Sequence, residues 1–188
     1  VHLLNEWMDP RHIRNTAFGP PSDEEAERPP HWRFWRALPP RGRIGIFFGA
    51  WHTEPIVQRV LGRLGGGTFA QATDDIQRLE TMLCDEGVLV LGSGSFTHNL
   101  GALRSTPPGQ PTPDWTAEFI DWTVKRLEAG DTEALEDWEE KAPHALQNHP
   151  TPEHFMPLFV AAGAGGKAEL LHDSVNHGIL ALHAFAFH

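Results

Sequence analysis

The chain has 188 residues, 40% of them hydrophobic and 21% charged, which suits one ordinary domain or two small ones and excludes disorder throughout. With 15 basic against 25 acidic residues its net charge is −10, so nucleic acid and anionic membrane surfaces are disfavoured, and small molecules or protein partners are expected. A single cysteine, Cys84, rules out an intrachain disulfide and fits a reducing cytosol, and no apolar run reaches the roughly 18 to 20 residues that span a bilayer.

The opening VHLLNEWMDPR has neither a signal-peptide core nor an initiating Met, so the chain is expected to be soluble and cut at its start. Residues 2–9 pattern as the tail of an amphipathic helix that Pro10 stops. GPPSDEEAERPP (19–30) concentrates proline and acid, as a loop or lid does, and HWRFWRALPPRG follows as a short helix. RIGIFFGAW (43–51) is short, apolar and bounded by glycine, which predicts a buried parallel strand. Gly65, Gly66 and Gly67 predict a flexible loop. DDIQRLETMLCDEG then places Ile76, Leu79, Met82 and Leu83 at helical spacing up to Gly87, and GVLVLGSG reads as a second buried strand.

Beyond the proline-rich connection at 105–113, Asp114 is a predicted cap for a helix with an apolar stripe of Trp115, Phe119, Trp122 and Leu127, ended by Gly130. Asp131 caps a shorter helix bearing Leu135 and Trp138. In HPTPEHF, Thr151 and Pro152 predict the N-cap and first position of a third helix, with Pro157 bending or shortening it and glycines 163, 165 and 166 closing it. GILALHAFAF (178–187) alternates as strand to the end. The alternation of strands and helices predicts an α/β fold with mainly parallel sheet and flanking helices.

Composition also divides the chain. Residues 1–90 hold 10 basic and 12 acidic residues and four histidines; residues 91–188 hold 5 and 13, and eight histidines. Two histidine motifs carry the chemistry. GSGSFTHNL (92–100) sets His98 just past the predicted strand end, where ligand sites of open α/β sheets collect. The residues alone leave two readings open, a ligand histidine or one that satisfies a loop hydrogen bond. A dinucleotide reading is weaker, because Thr97 stands where G-x-G-x-x-G needs its third glycine. HPTPEH (149–154) places Glu153 and His154 in the predicted first helical turn, whose dipole favours a neutral, metal-competent imidazole; alternatively Glu153 answers the dipole and His154 faces solvent. His144, His149, His172 and His177 have no zinc spacing and read as surface or packing residues. Phosphate chemistry lacks its motif: in GAGGKA (163–168) Ala161 and Ala168 occupy the Walker A glycine and Ser/Thr positions.

LLNEWMDPRHI, RPPHWRFWRALPPRGRIGIFFGAWHTEPI and IQRLETMLCDEGVL resemble the family-two polyphosphate kinases, and more narrowly the first of two tandem domains in the polyphosphate:AMP phosphotransferases. The resemblance implies a P-loop α/β domain that moves phosphate between polyphosphate and nucleotides with magnesium. Its P-loop would lie before Val1 and its Walker B acid near Phe48, so no catalytic residue carries over. EGVLVLGSGSFTHNLGALR, FIDWTVKRLEAGDTEALEDW, APHALQNHPTPEHFMPLFVAAGA and LHDSVNHGILALHAF resemble instead the DOPA-dioxygenase subgroup of class III extradiol dioxygenases. That likeness implies a non-haem Fe(II) or Zn(II) site, a catechol-type substrate and dioxygen. It makes His98 a metal ligand or acid–base residue and His154 a metal-site histidine. The family's other metal-site histidines lie in an N-terminal half around H-G-S-P and H-W, and this chain has no H-G-S-P; His52 belongs to the kinase-like part.

Both families share a helix, an acid–Gly turn and an apolar strand, which DEGVLVL satisfies. The expected organisation is therefore two partial α/β domains joined near residue 88: a kinase-like fragment over 1–87 and a dioxygenase-like half over 88–188. Poor metal affinity, weak or absent ring cleavage, and oligomerisation through unpartnered strand edges are expected to follow.

Overall fold

The computed structural model describes residues 2–60, 62–63, 65–107, 109–164 and 166–188, which form two compact units, 1–76 and 77–188.

The N-terminal unit opens with helix α1 (His2–Trp7) and a 3-10 turn over Pro10–His12, where the Asp9 carboxylate accepts from the Arg11 amide. Strand β1 (Ile13–Ala17) follows. The acidic 19–30 stretch contains helix α2 (Asp23–Ala26), set by a reciprocal capping box between Ser22 and Glu25. Nothing in α2 is buried, so this stretch stays outside the core as expected. Helix α3 (Trp32–Ala37) leads to strand β2 (Ile44–Phe48), which pairs parallel with β1 from Ile13↔Ile44 to Ala17↔Phe48. Edge-to-face contacts join Phe18, Phe34, Phe47 and Trp51, with the Arg33 guanidinium over Phe18 and Phe34. Helix α4 (Thr53–Val60) completes the unit.

Helix α5 (Gly66–Asp85) begins within the glycine run that predicts a loop, and the border between the units falls inside it. Its Leu79 and Leu83 are buried. Gly87, with φ 76°, turns the chain after it. The predicted strand 87–94 does not form. Residues 88–94 have no regular secondary structure and join no sheet, with Leu89 and Leu91 exposed at 86% and 76%. A strand exists only through a partner's hydrogen bonds, and no described strand runs beside this one.

Helix α6 (Leu100–Leu103) is capped by Asn99. Helix α7 (Asp114–Ala129) begins at the predicted cap Asp114 itself, the N-cap lying one residue earlier at Pro113, and Gly130 closes it in the left-handed region at φ 65°. Its inward stripe is Thr116, Phe119, Thr123 and Leu127, spaced three, four and four; Trp115 and Trp122 are only half-buried. Asp131 caps helix α8 (Thr132–Glu136) as expected. Helices α9 (Trp138–Lys141) and α10 (Ala145–Asn148) wrap the same core of Phe96, Phe119, Leu127, Leu135, Trp138 and Phe155. Burying each such aromatic ring contributes about 2 to 3 kcal/mol.

The third predicted helix starts later than its first proline suggests. Residues 151–155 form a turn in which Phe155 and Met156 amides bond to the Pro152 carbonyl, and helix α11 runs Met156–Ala164. Pro157, expected to bend or shorten the helix, lies in its first turn, where a missing N–H costs nothing. Gly165 lies outside the described residues. Strand β3 (Ala168–His172) pairs antiparallel with β6 (Ala184–Phe187), and β4 (Val175–Asn176) with β5 (Leu180–Ala181). His177 and Gly178, at φ 53° and 71°, make the tight β4–β5 turn. The α/β class holds, but parallel pairing is confined to β1–β2 among the described residues. The C-terminal strands are joined by short turns, which permit only antiparallel neighbours. No described helix is long and apolar enough to cross a membrane.

Candidate functional site

The site is built on residues 92–99, and glycine determines where that segment runs. A Cβ on Gly92 would collide with the Pro157 carbonyl oxygen, and one on Gly94 with that of His154. The paired glycines thus serve close approach of two backbones, the reason a G-x-G word is there without a phosphate cradle. The Ser95 amide closes this contact by donating to the His154 carbonyl at 2.8 Å.

Every following residue is then anchored. The buried His149 ring donates from Nε2 to the Phe96 carbonyl at 2.9 Å. Thr97, fully buried, donates from Oγ1 to the Ile179 carbonyl and accepts from the Ala181 amide, both at 2.7 Å. The His98 amide donates to the Asn148 carbonyl at 3.0 Å, and Asn99 Nδ2 to the Gln147 carbonyl at 2.6 Å. Asn148 is held in turn, donating from Nδ2 to the Trp115 and His144 carbonyls. A loop with no regular secondary structure is thereby fixed as firmly as a strand.

These anchors bring the two sequence-predicted histidines together. The His98 and His154 rings stack with centroids 3.7 Å apart and planes 19° from parallel. Burial, followed by the neighbouring His154, pushes the His98 imidazole below its usual range, so near neutral pH it is an uncharged proton acceptor. The Glu153 carboxylate accepts from Thr151 Oγ1 at 2.8 Å and lies 3.1 Å from His154 Nδ1. An Nδ1–H directed at Glu153 leaves Nε2 with the free lone pair. Burial alone would raise the Glu153 carboxyl, but the Thr151 hydroxyl, a backbone amide and His154 together hold it low. His154 therefore lies in a turn beside its carboxylate, not in the first turn of a helix.

The stacked rings do not fit one shared metal ion. Metal–nitrogen bonds of about 2.0–2.1 Å at an angle of about 90° or more place two imidazole centres at least roughly 4.5 Å apart, with lone pairs converging. Here the centres are closer and the near-parallel planes direct the lone pairs past each other. Among the described residues no cluster of three or more His, Cys, Asp or Glu side chains is arranged to hold a metal.

Residues 73–187 match the family model described as the catalytic LigB subunit of aromatic ring-opening dioxygenase. The chain belongs to this family. Residues 1–93 match the polyphosphate kinase 2 (PPK2) model, so the two matches overlap over 73–93, across the acid–Gly turn and the unpaired segment. The chain is 44% identical over 109 residues to a 4,5-DOPA dioxygenase extradiol of Beta vulgaris, a match covering 56% of this chain and 40% of that protein. It is 37% identical over 124 residues to the Portulaca grandiflora protein of the same name, covering 60% and 42%. A polyphosphate:AMP phosphotransferase of Pseudomonas aeruginosa is 47% identical over 128 residues, covering 65% of this chain and 25% of that protein. The chain thus spans between a quarter and about two-fifths of these relatives. LigB membership implies a metal cofactor.

Three residues of the site escape sequence reasoning. His149, read as a surface or packing residue, is a packing residue at 1% exposure, and what escapes is its hydrogen bond to the loop that carries His98. Asn148 and Thr97 have no signal beyond their place inside the two histidine motifs. In the N-terminal unit, β2 ends at Phe48, where the kinase family would place a magnesium-binding acid, so the C-terminal end of the parallel pair carries no carboxylate there.

Proposed function

We propose that residues 88–188 are the C-terminal half of an extradiol ring-cleavage dioxygenase for catechol-type aromatics, joined near residue 88 to a kinase-like fragment over 1–87. The observation that carries this reading is the stacked, anchored His98–His154 pair inside the stretch that matches LigB. His98 is the acid–base group: its neutral imidazole accepts a proton from a bound catechol hydroxyl. His154, oriented by Glu153, presents Nε2 as acceptor for the second hydroxyl. Fe(II) or Zn(II) would supply the family's metal chemistry. The stacked pair does not chelate it, so affinity in this chain is low and catechol cleavage by the chain alone is weak or absent.

Titration of the purified chain with 4-nitrocatechol, followed by NMR of the histidine ring protons, tests this reading. Perturbation of His98 and His154 signals, lost in both His98→Ala and His154→Ala, is expected. No perturbation at millimolar catechol overturns the binding reading. Rapid Fe(II)-dependent cleavage of DOPA overturns the incompleteness.

A second reading is favoured by the PPK2 match: residues 1–87 act as a polyphosphate- or nucleotide-binding module without transfer chemistry. Protection of their amides from exchange by polyphosphate or AMP would support it, and unchanged exchange would count against it.

A further inference from the structure

Among the buried polar groups, His149 stands out because packing alone gives no reason for an imidazole there. Its ring lies against Phe155, Phe119 and Trp138, with centroids 4.7, 5.6 and 5.6 Å away. A phenyl ring would fill that aromatic cage without polar cost. The imidazole instead buries an Nδ1 that has no hydrogen-bond partner among the described residues. What it gains is one bond, Nε2–H to the Phe96 carbonyl, two residues before His98. The adjacent Asn148 carbonyl takes the His98 amide, and His154 follows five residues after His149. Position 149 is thus covalently continuous with the His154 turn and hydrogen-bonded to the His98 loop.

We propose that His149 is a positioning residue that sets the His98 ring against His154 through its single bond to the Phe96 carbonyl. The Ser95 and His98 amides already tie the loop to the His154 and Asn148 carbonyls, and a group at 149 that only packed would leave the Phe96 carbonyl between those two ties without its bond. The Nε2–H supplies that middle tie, and with it the setting of the His98 ring over His154. Burial pushes the His149 imidazole down to about 4, which keeps the ring neutral and Nδ1 a bare acceptor around neutral pH. The inference deepens the functional reading of the pair but is tested on ring geometry, so it can fail while catechol binding holds, and the reverse.

The test is NMR of the whole chain, using the mutual ring-current shift of His98 and His154 as the measure of stacking. His149→Gln keeps an N–H donor, His149→Phe keeps the aromatic packing without it, and Phe119→Leu disturbs the same core while sparing the bond. The ring-current shift is expected to persist in His149→Gln and Phe119→Leu and to fall by more than half in folded His149→Phe. An unchanged shift in His149→Phe overturns the proposal, as does a loss in Phe119→Leu equal to that in the His149 variants. Should His149→Phe not fold, loss of the shift in folded His149→Gln overturns it, and retention there with loss in His149→Leu supports it.

Discussion

The two units bury their aromatic residues differently. In the N-terminal unit Phe18, Phe34, Phe47 and Trp51 touch edge to face beside one parallel strand pair, yet none is fully buried. In the C-terminal unit Phe96, Phe119, Trp138 and Phe155 are buried and enclose His149, and the histidine loop is bonded at successive residues. A sheet-based core needs its neighbouring strands, whereas the core around α7 to α11 closes within residues 96–181. The second unit therefore carries an anchored histidine loop where the first, among its described residues, carries one strand pair with short helices.

The sharpest way to break this contrast is truncation of the closed core. Phe119→Ala should cost the C-terminal unit about 3–5 kcal/mol in chemical denaturation, whereas Phe34→Ala, from a half-buried ring, should cost the N-terminal unit clearly less. Equal losses would mean that the two cores are equally closed.

Next in size is the response to acid. The folded pKa of His149 is depressed to about 4, below its unfolded value, so its contribution is present above about pH 6.5 and is lost as pH falls toward 4. On the order of 3 kcal/mol of C-terminal stability should disappear across that window. Lowered His98 and His183 act in the same direction, as do His31 and His52 in the other unit, all chiefly through burial. Urea melts at the two pH values, and again with His149→Gln, should show a flatter profile for the variant.

A smaller effect is expected at the glycine contact. Gly94→Ala forces the backbone away from the His154 carbonyl and should cost about 1–3 kcal/mol while changing the His98–His154 ring shifts. Smallest in stability, within about 0.5 kcal/mol, is Leu89→Lys combined with Leu91→Lys. These side chains are exposed on a segment that joins no described sheet, so the double variant should reduce self-association in sedimentation runs. Undiminished association would place the contact elsewhere.

What could be read in the sequence was local. Helix α7 was legible because its apolar spacing, an acid in the first turn and Gly130 all agree. Strand β2 and its parallel pairing were legible as a short apolar run between glycines, but its expected burial was not met: no β2 residue is buried and Phe48 is 47% exposed. Residues 88–91 have the same pattern but no partner, and periodicity carries no information about whether a neighbour exists. Pro152 suited a helix start, but the helix begins at Met156 with Pro157 in its first turn, leaving Thr151 to bond Glu153 instead of capping. His98 and His154 were found through their motifs, but their stacking is a tertiary fact. For His149 the choice between surface and packing stayed open and its donor role was not legible, because a buried donor histidine and a surface histidine are spelled the same way.

The central claim is that His98 and His154 persist as an anchored proton-handling pair that does not chelate a metal. Zn(II) titration of the wild-type chain beside His98→Ala and His154→Ala tests it most directly. The account predicts that each single variant binds Zn(II) within about threefold of wild type, because neither ring completes a chelate with the other. A loss of about tenfold or more in both variants would show the two imidazoles closing on one ion and would contradict it.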